Sequence, residues 1–69
     1  MDNRVYKIIE LTGTSLTSIE DAIQSAVKKA GQTVRNMGWF EVVETRGRII
    51  EDAAIEWQVT IKIGFTVED

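Results

Sequence analysis

The chain has 69 residues, 8 basic against 11 acidic for a formal net charge of −3, and 43% hydrophobic residues. That length makes one domain, residues 1–69, and a chain so short buries only ~60% of the surface it exposes when unfolded. Cysteine and histidine are both absent, which excludes disulfides, thiolate and imidazole metal sites, and Ser-His or Cys-His catalysis.

With those staples gone, self-association is the expected stabiliser of so small a core. Net acidity argues against nucleic acid, whose phosphates need a basic footprint, and against anionic membrane surfaces. No apolar run approaches a membrane span and no signal peptide is read at the start, so a soluble, cytoplasmic protein is expected.

Val5 to Leu11 is rich in β-branched and aromatic residues and reads as a first strand. Thr12-Gly13-Thr14-Ser15 punctuates it. From Ser18 to Met37 the apolar residues Ile19, Ala22, Ile23, Ala26, Val27, Ala30, Val34 and Met37 recur at alternating spacings of 3 and 4, the stripe of an amphipathic helix. Thr17 and Glu20 fit a capping box, and Gly38 stands where a left-handed residue closes a helix. Trp39 to Ile50 is a second strand, Glu51 to Ala54 a turn, and Ile55 to Val67 a third strand. On that third strand Ile55, Trp57, Val59, Ile61, Ile63, Phe65 and Val67 share one face, and Glu56, Gln58, Thr60, Lys62, Gly64 and Thr66 the other. The expected fold class is α+β: a β-α-β-β unit whose three-stranded antiparallel sheet wraps around one amphipathic helix. Strands of this length outrun the helix meant to cover them, a second argument for a partner subunit.

If Phe40 and Val42 join the inner face, Trp39 points outward, and so does Gln58. An outward indole gives a flat stacking plane and an amide gives a donor beside an acceptor, a pairing that suits a planar heteroaromatic ring with imide edges. Packing at a subunit interface is the competing reading of Trp39, and pattern alone favours it. Trp57 reads as core. Gly47 and Gly64 read as bulge positions. Glu41, Glu44, Glu51 and Glu56 alternate with Arg46, Arg48 and Lys62, which cross-strand ion pairing explains. No catalytic constellation and no metal-ligand spacing emerges.

Tyr6-Lys7-Ile8-Ile9-Glu10-Leu11 with Gly13-Thr14-Ser15, then Ala22-Ile23-Gln24, Gln32-Thr33 and Trp39-Phe40-Glu41-Val42, then Arg46-Gly47, Gln58-Val59-Thr60 and Gly64-Phe65, follow one another in an order that resembles the dodecins. The resemblance implies a hollow homododecamer that stores or sequesters flavin, with FMN or riboflavin stacked between tryptophans at a subunit interface and quenched there. FMN is preferred, because the sequence looks bacterial in type. It places Trp39 at the stacking position, Gln58 at the glutamine that meets the polar ring edge, and Arg46 and Lys7 at basic positions near the flavin or its phosphate. Thr66 departs from the arginine of some bacterial members, and Gly38 from an acidic residue before the tryptophan. Coenzyme A, a ligand of some members, is a further implied partner. The expected protein is not an enzyme; a coenzyme A-binding or structural cage with flavin incidental, and a flavin-dependent redox enzyme, are the alternatives.

Overall fold

The computed structural model describes residues 3–67. Strand β1 spans Tyr6–Ser15, helix α1 Ile19–Ala30, strand β2 Met37–Ile50 and strand β3 Ala54–Thr66, with a single 3₁₀ turn at Glu51–Ala53 between the last two. The sheet is antiparallel throughout, ordered β1-β3-β2. The strand with the clearest alternation takes the centre: Val59, Ile61 and Ile63 of β3 are buried beneath Ala22, Ala26 and Ala30 of α1. The β-α-β-β α+β fold is as the sequence implies.

Three local expectations are corrected. First, β1 does not stop at Leu11. Thr12 to Ser15 continue it, paired with Thr60, Val59, Gln58 and Trp57. Gly13 is therefore a strand residue at a close crossing. A Cβ there would collide with the Ala22 carbonyl and lie 2.9 Å from the Ala26 Cβ. A glycine facing a stripe of alanines lets helix and strand backbones approach.

Second, the helix ends at Ala30 rather than Met37. Gln32 N–H and Thr33 N–H bond to the carbonyls three residues back, at 3.2 and 3.1 Å, the tightened last turn of a helix running out. The chain then reverses at Asn36, φ 65°, so asparagine and not Gly38 takes the left-handed conformation. Met37 still packs on the core, as the first residue of β2. The helical spacing extended past the helix because a strand residue happened to continue it.

Third, the capping residue is Ser18, whose Oγ accepts from Asp21 N–H at 3.0 Å, not Thr17 with Glu20. Ser15 organises the same turn: its hydroxyl accepts from the Thr17 and Ser18 N–H groups and donates to Asp21 Oδ2 at 2.7 Å.

The twelve residues of α1 reach ~18 Å, whereas the fourteen of β2 reach ~46 Å. The helix lies over β1 and β3, so β2 is exposed along nearly its whole length. Trp57, expected in the core, is half-buried beyond the start of the helix and packs over Gly47.

Candidate functional site

Two β-bulges decide what the open face of the sheet displays. Register shifts occur between Met37 and Trp39 and between Val42 and Glu44, whereas pairing runs regularly through Gly47 and Gly64, where bulges were expected. Residues two apart on a regular strand share a face. The first bulge breaks that rule at Gly38. Met37, opposite Phe65, faces the helix, while Trp39, opposite Gly64, faces away. The second does the same at Val43. Val42, opposite Ile61, stays on the helix side, while Glu44, Arg46 and Arg48 stand opposite Thr60, Gln58 and Glu56 on the open face. An unbulged β2 would have carried Arg46 on the face of Phe40 and Val42.

The indole of Trp39 lies directly above Gly64, where any Cβ would collide with its ring carbons. Tyr6 flanks it, ring centroids 5.9 Å apart and planes inclined at 56°. Trp39 keeps 39% of its surface exposed, so the aromatic platform is seated on backbone and open to a partner.

At the other end of the face, Arg46 Nε donates to Gln58 Oε1 at 2.7 Å, and Gln58 Nε2 donates to Glu56 Oε1 at 3.0 Å. Glu44 pairs with Arg46 at 3.1 Å and Glu56 with Arg48 at 3.0 Å. A guanidinium only donates and a carboxylate only accepts, so the two neighbours fix which way the Gln58 amide points. Each end of that amide retains one unused site, an N–H and a lone pair, so it can still serve a donor-acceptor edge. The hydrogen bonds from Gln58 and Arg48 hold the Glu56 carboxyl below the usual carboxylate range.

Of the four residues singled out from sequence, Trp39, Gln58 and Arg46 share the open face, and Arg46 touches Gln58. Lys7 does not join them: it stands opposite Phe65, on the helix side of the sheet. Trp39 and Gln58 are not neighbours within one chain. Gly64 and Gln58 are six positions apart on β3, ~20 Å along a strand. A ligand touching both therefore needs two chains. Alternation already put Glu56 on this face with Gln58, but sequence reasoning missed Tyr6 and Glu44; only the strand order, which puts β1 and β2 on either side of β3, and the bulge in β2 collect them.

One concavity of about 220 Å³ reaches Trp39 and is lined by Val27, Met37, Phe40 and Ile63 as well; another lies away from it. An open groove of about 500 Å³ runs between α1 and β2, lined by Ile23, Val27 and Phe40 with Glu20, Gln24 and Lys28. It exists because the helix sits on the other two strands. Among the described residues no group of three or more carboxylates converges as a cation site.

The dodecin family model matches residues 5–68. The chain belongs to the dodecin family. It is 47% identical to the dodecin of Thermus thermophilus, with 96% of each chain covered. The solved dodecin of Streptomyces davaonensis superposes with a TM-score of 0.92 at 38% identity, covering 99% of this chain and all of that one. A more distant dodecin, from Mycobacterium tuberculosis and named calcium dodecin, is 31% identical over 88% of this chain and 86% of its own. Among the described residues, no helix of this dodecin is long and apolar enough to cross a membrane.

Proposed function

We propose that this dodecin is a cytoplasmic flavin-storage protein and not an enzyme. It binds FMN or riboflavin between tryptophans where subunits of a homododecamer meet. One observation carries the reading: the Trp39 indole lies over Gly64 on the face away from its own helix, partly exposed. Bound flavin supplies a flat ring with a donor-acceptor edge and an excited state that an indole can quench by electron transfer. Trp39 stacks on that ring and keeps water from one side of it. The spare N–H and lone pair of Gln58 serve the ring edge, and Arg46 holds the amide in the required sense. Because Gly64, the partner of Trp39, lies ~20 Å from Gln58 along β3, Trp39 and Gln58 reach one ligand from different subunits. Lys7 lies on the opposite side of its own sheet, so it reaches that ligand only from another subunit. The absence of histidine and cysteine removes the usual proton donors and nucleophiles of flavin enzymes.

Titration of the full chain with riboflavin or FMN should quench flavin fluorescence to a defined stoichiometry per subunit, and Trp39→Ala should abolish most of it. Unchanged quenching in Trp39→Ala would refute the site. Calcium alone raising stability, with neither flavin bound, would transfer the ligand class to that of the M. tuberculosis relative's name.

A further inference from the structure

Given the flavin reading above, on which this rests, we infer that Tyr6 is a positioning residue: it holds the Trp39 indole in its stacking orientation before a ligand arrives, and acts on the flavin only through that ring. A partly exposed tryptophan turns about two side-chain bonds, and a ligand that stacks on it must first fix one orientation. Here the indole already has a seat. Its floor is Gly64, where the missing side chain lets the benzo ring come down onto the strand. Its wall is the Tyr6 ring, 5.9 Å away between centroids and inclined at 56°, the spacing of an attractive aromatic pair.

Tyr6 starts on the far strand. It pairs with Thr66 of β3, and its Cε1 lies 3.5 Å from where a Gly38 Cβ would stand on β2, so the ring crosses β3 alongside the indole. Both rings stand on anchored backbone. Val67 N–H donates to the Val5 carbonyl at 3.0 Å and Thr66 N–H to the Asn36 carbonyl at 3.2 Å, which ties the starts of β1 and β2 to the end of β3. Of the other neighbours in register, Ile8 is 55% exposed and Lys62, Glu10 and Glu41 are flexible polar chains, so the planar wall falls to Tyr6. An indole that visits its stacking orientation only part of the time lowers the observed affinity by that fraction. Fixing one such side chain costs a ligand a factor of about two to ten, and the Tyr6 wall removes that cost.

The experiment reads the seat and its consequence separately. Time-resolved fluorescence anisotropy of Trp39, in a Trp57→Phe background without ligand, should gain a fast component in Tyr6→Ala and none in Tyr6→Phe. Tyr6→Leu keeps apolar bulk on the strand should the alanine variant fail to assemble, and should behave as alanine does. With riboflavin, Tyr6→Ala should bind about three- to tenfold more weakly and leave residual flavin emission at saturation, because indoles turned away do not quench; Tyr6→Phe should restore both. An indole as immobile in Tyr6→Ala and Tyr6→Leu as in the unaltered chain overturns this inference and leaves the flavin reading standing. Weak binding in Tyr6→Phe equal to that of Tyr6→Ala, with the indole still immobile, also overturns it, since the hydroxyl then meets the ligand directly. Failure of the unaltered chain to bind riboflavin refutes the flavin reading, while the ligand-free anisotropy still judges the seat.

Discussion

Gly13 shows how much one missing methyl can decide. The sequence offers Thr12-Gly13-Thr14-Ser15, a cluster whose composition suggests a turn, yet Gly13 is a paired strand residue that lets α1 cross β1 at backbone contact. Glycine marks both situations, and sequence distinguishes them only when the approaching element is known. Gly13→Ala must push the helix off the sheet, so it should destabilise the fold by about 1–3 kcal/mol, read as a lowered midpoint in urea unfolding. Gly47→Ala is the control. Its Cβ would meet the Ile55 Cγ2 methyl at 3.3 Å and the Trp57 ring at an ordinary 3.8 Å, with no backbone in the way, and the loss should be clearly smaller. Equal losses would show that helix approach is not what Gly13 provides. Trp39 was more legible than Gly13, because alternation with Phe40 and Val42 fixes its face once those two are taken as inward.

At the scale of elements, the hairpin of β2 and β3 carries the site's polar half. Alternation placed Gln58 on the open face, but Arg46 reaches it only because the bulge at Val43 shifts the phase of β2. Nothing in the residue pattern from Trp39 to Ile50 announces that shift; β2, with fourteen residues, fits the thirteen of β3 by bulging, and the position of the bulge shows only in the pairing across the hairpin. The network has a pH signature. The folded Glu56 carboxyl lies below its ordinary value near 4.5 because Gln58 and Arg48 donate to its ionised form. A depressed carboxylate contributes stability above its unfolded pKa and loses it as pH falls through the folded one. The contribution is therefore intact at neutral pH and disappears with acidification from about 4.5 downward. Glu56→Gln should flatten that part of the pH–stability curve, followed by tryptophan fluorescence during acid titration. An unaltered curve would show that the carboxyl contributes nothing to the folded state.

The whole subunit is too extended to be self-sufficient. Its Cα radius of gyration is 14.4 Å and its principal extents are 56 × 20 × 14 Å, where a compact chain of this length has a radius near ~11 Å. Its accessible surface of 5340 Å² exceeds the ~4,400 Å² of a compact monomer of its mass. Phe40, Val42 and Ile55 on the helix side, and Tyr6, Ile8 and Val43 elsewhere, remain exposed. Apolar surface spread over both sides of an edge strand is what the partner subunits of the proposed dodecamer would cover. Light scattering with size exclusion should give an assembly near twelve times the 7.8 kDa subunit. Phe40→Asp should convert it to smaller, less stable species. A stable monomer of the unaltered chain would contradict the proposed assembly and with it a site built from two chains.

Composition and period alone settled the class of fold, the lack of thiol and imidazole side chains, and the outward direction of Trp39 and Gln58. These follow from residue types and from periods of two and near 3.6, which are properties of neighbours along the chain. The end of the helix, the role of Gly13, the phase of Arg46 and the ~20 Å between Trp39 and Gln58 depend on register between segments far apart in sequence. Register is set by which backbones pack and where an extra residue bulges out, and that information exists only once the strands have paired.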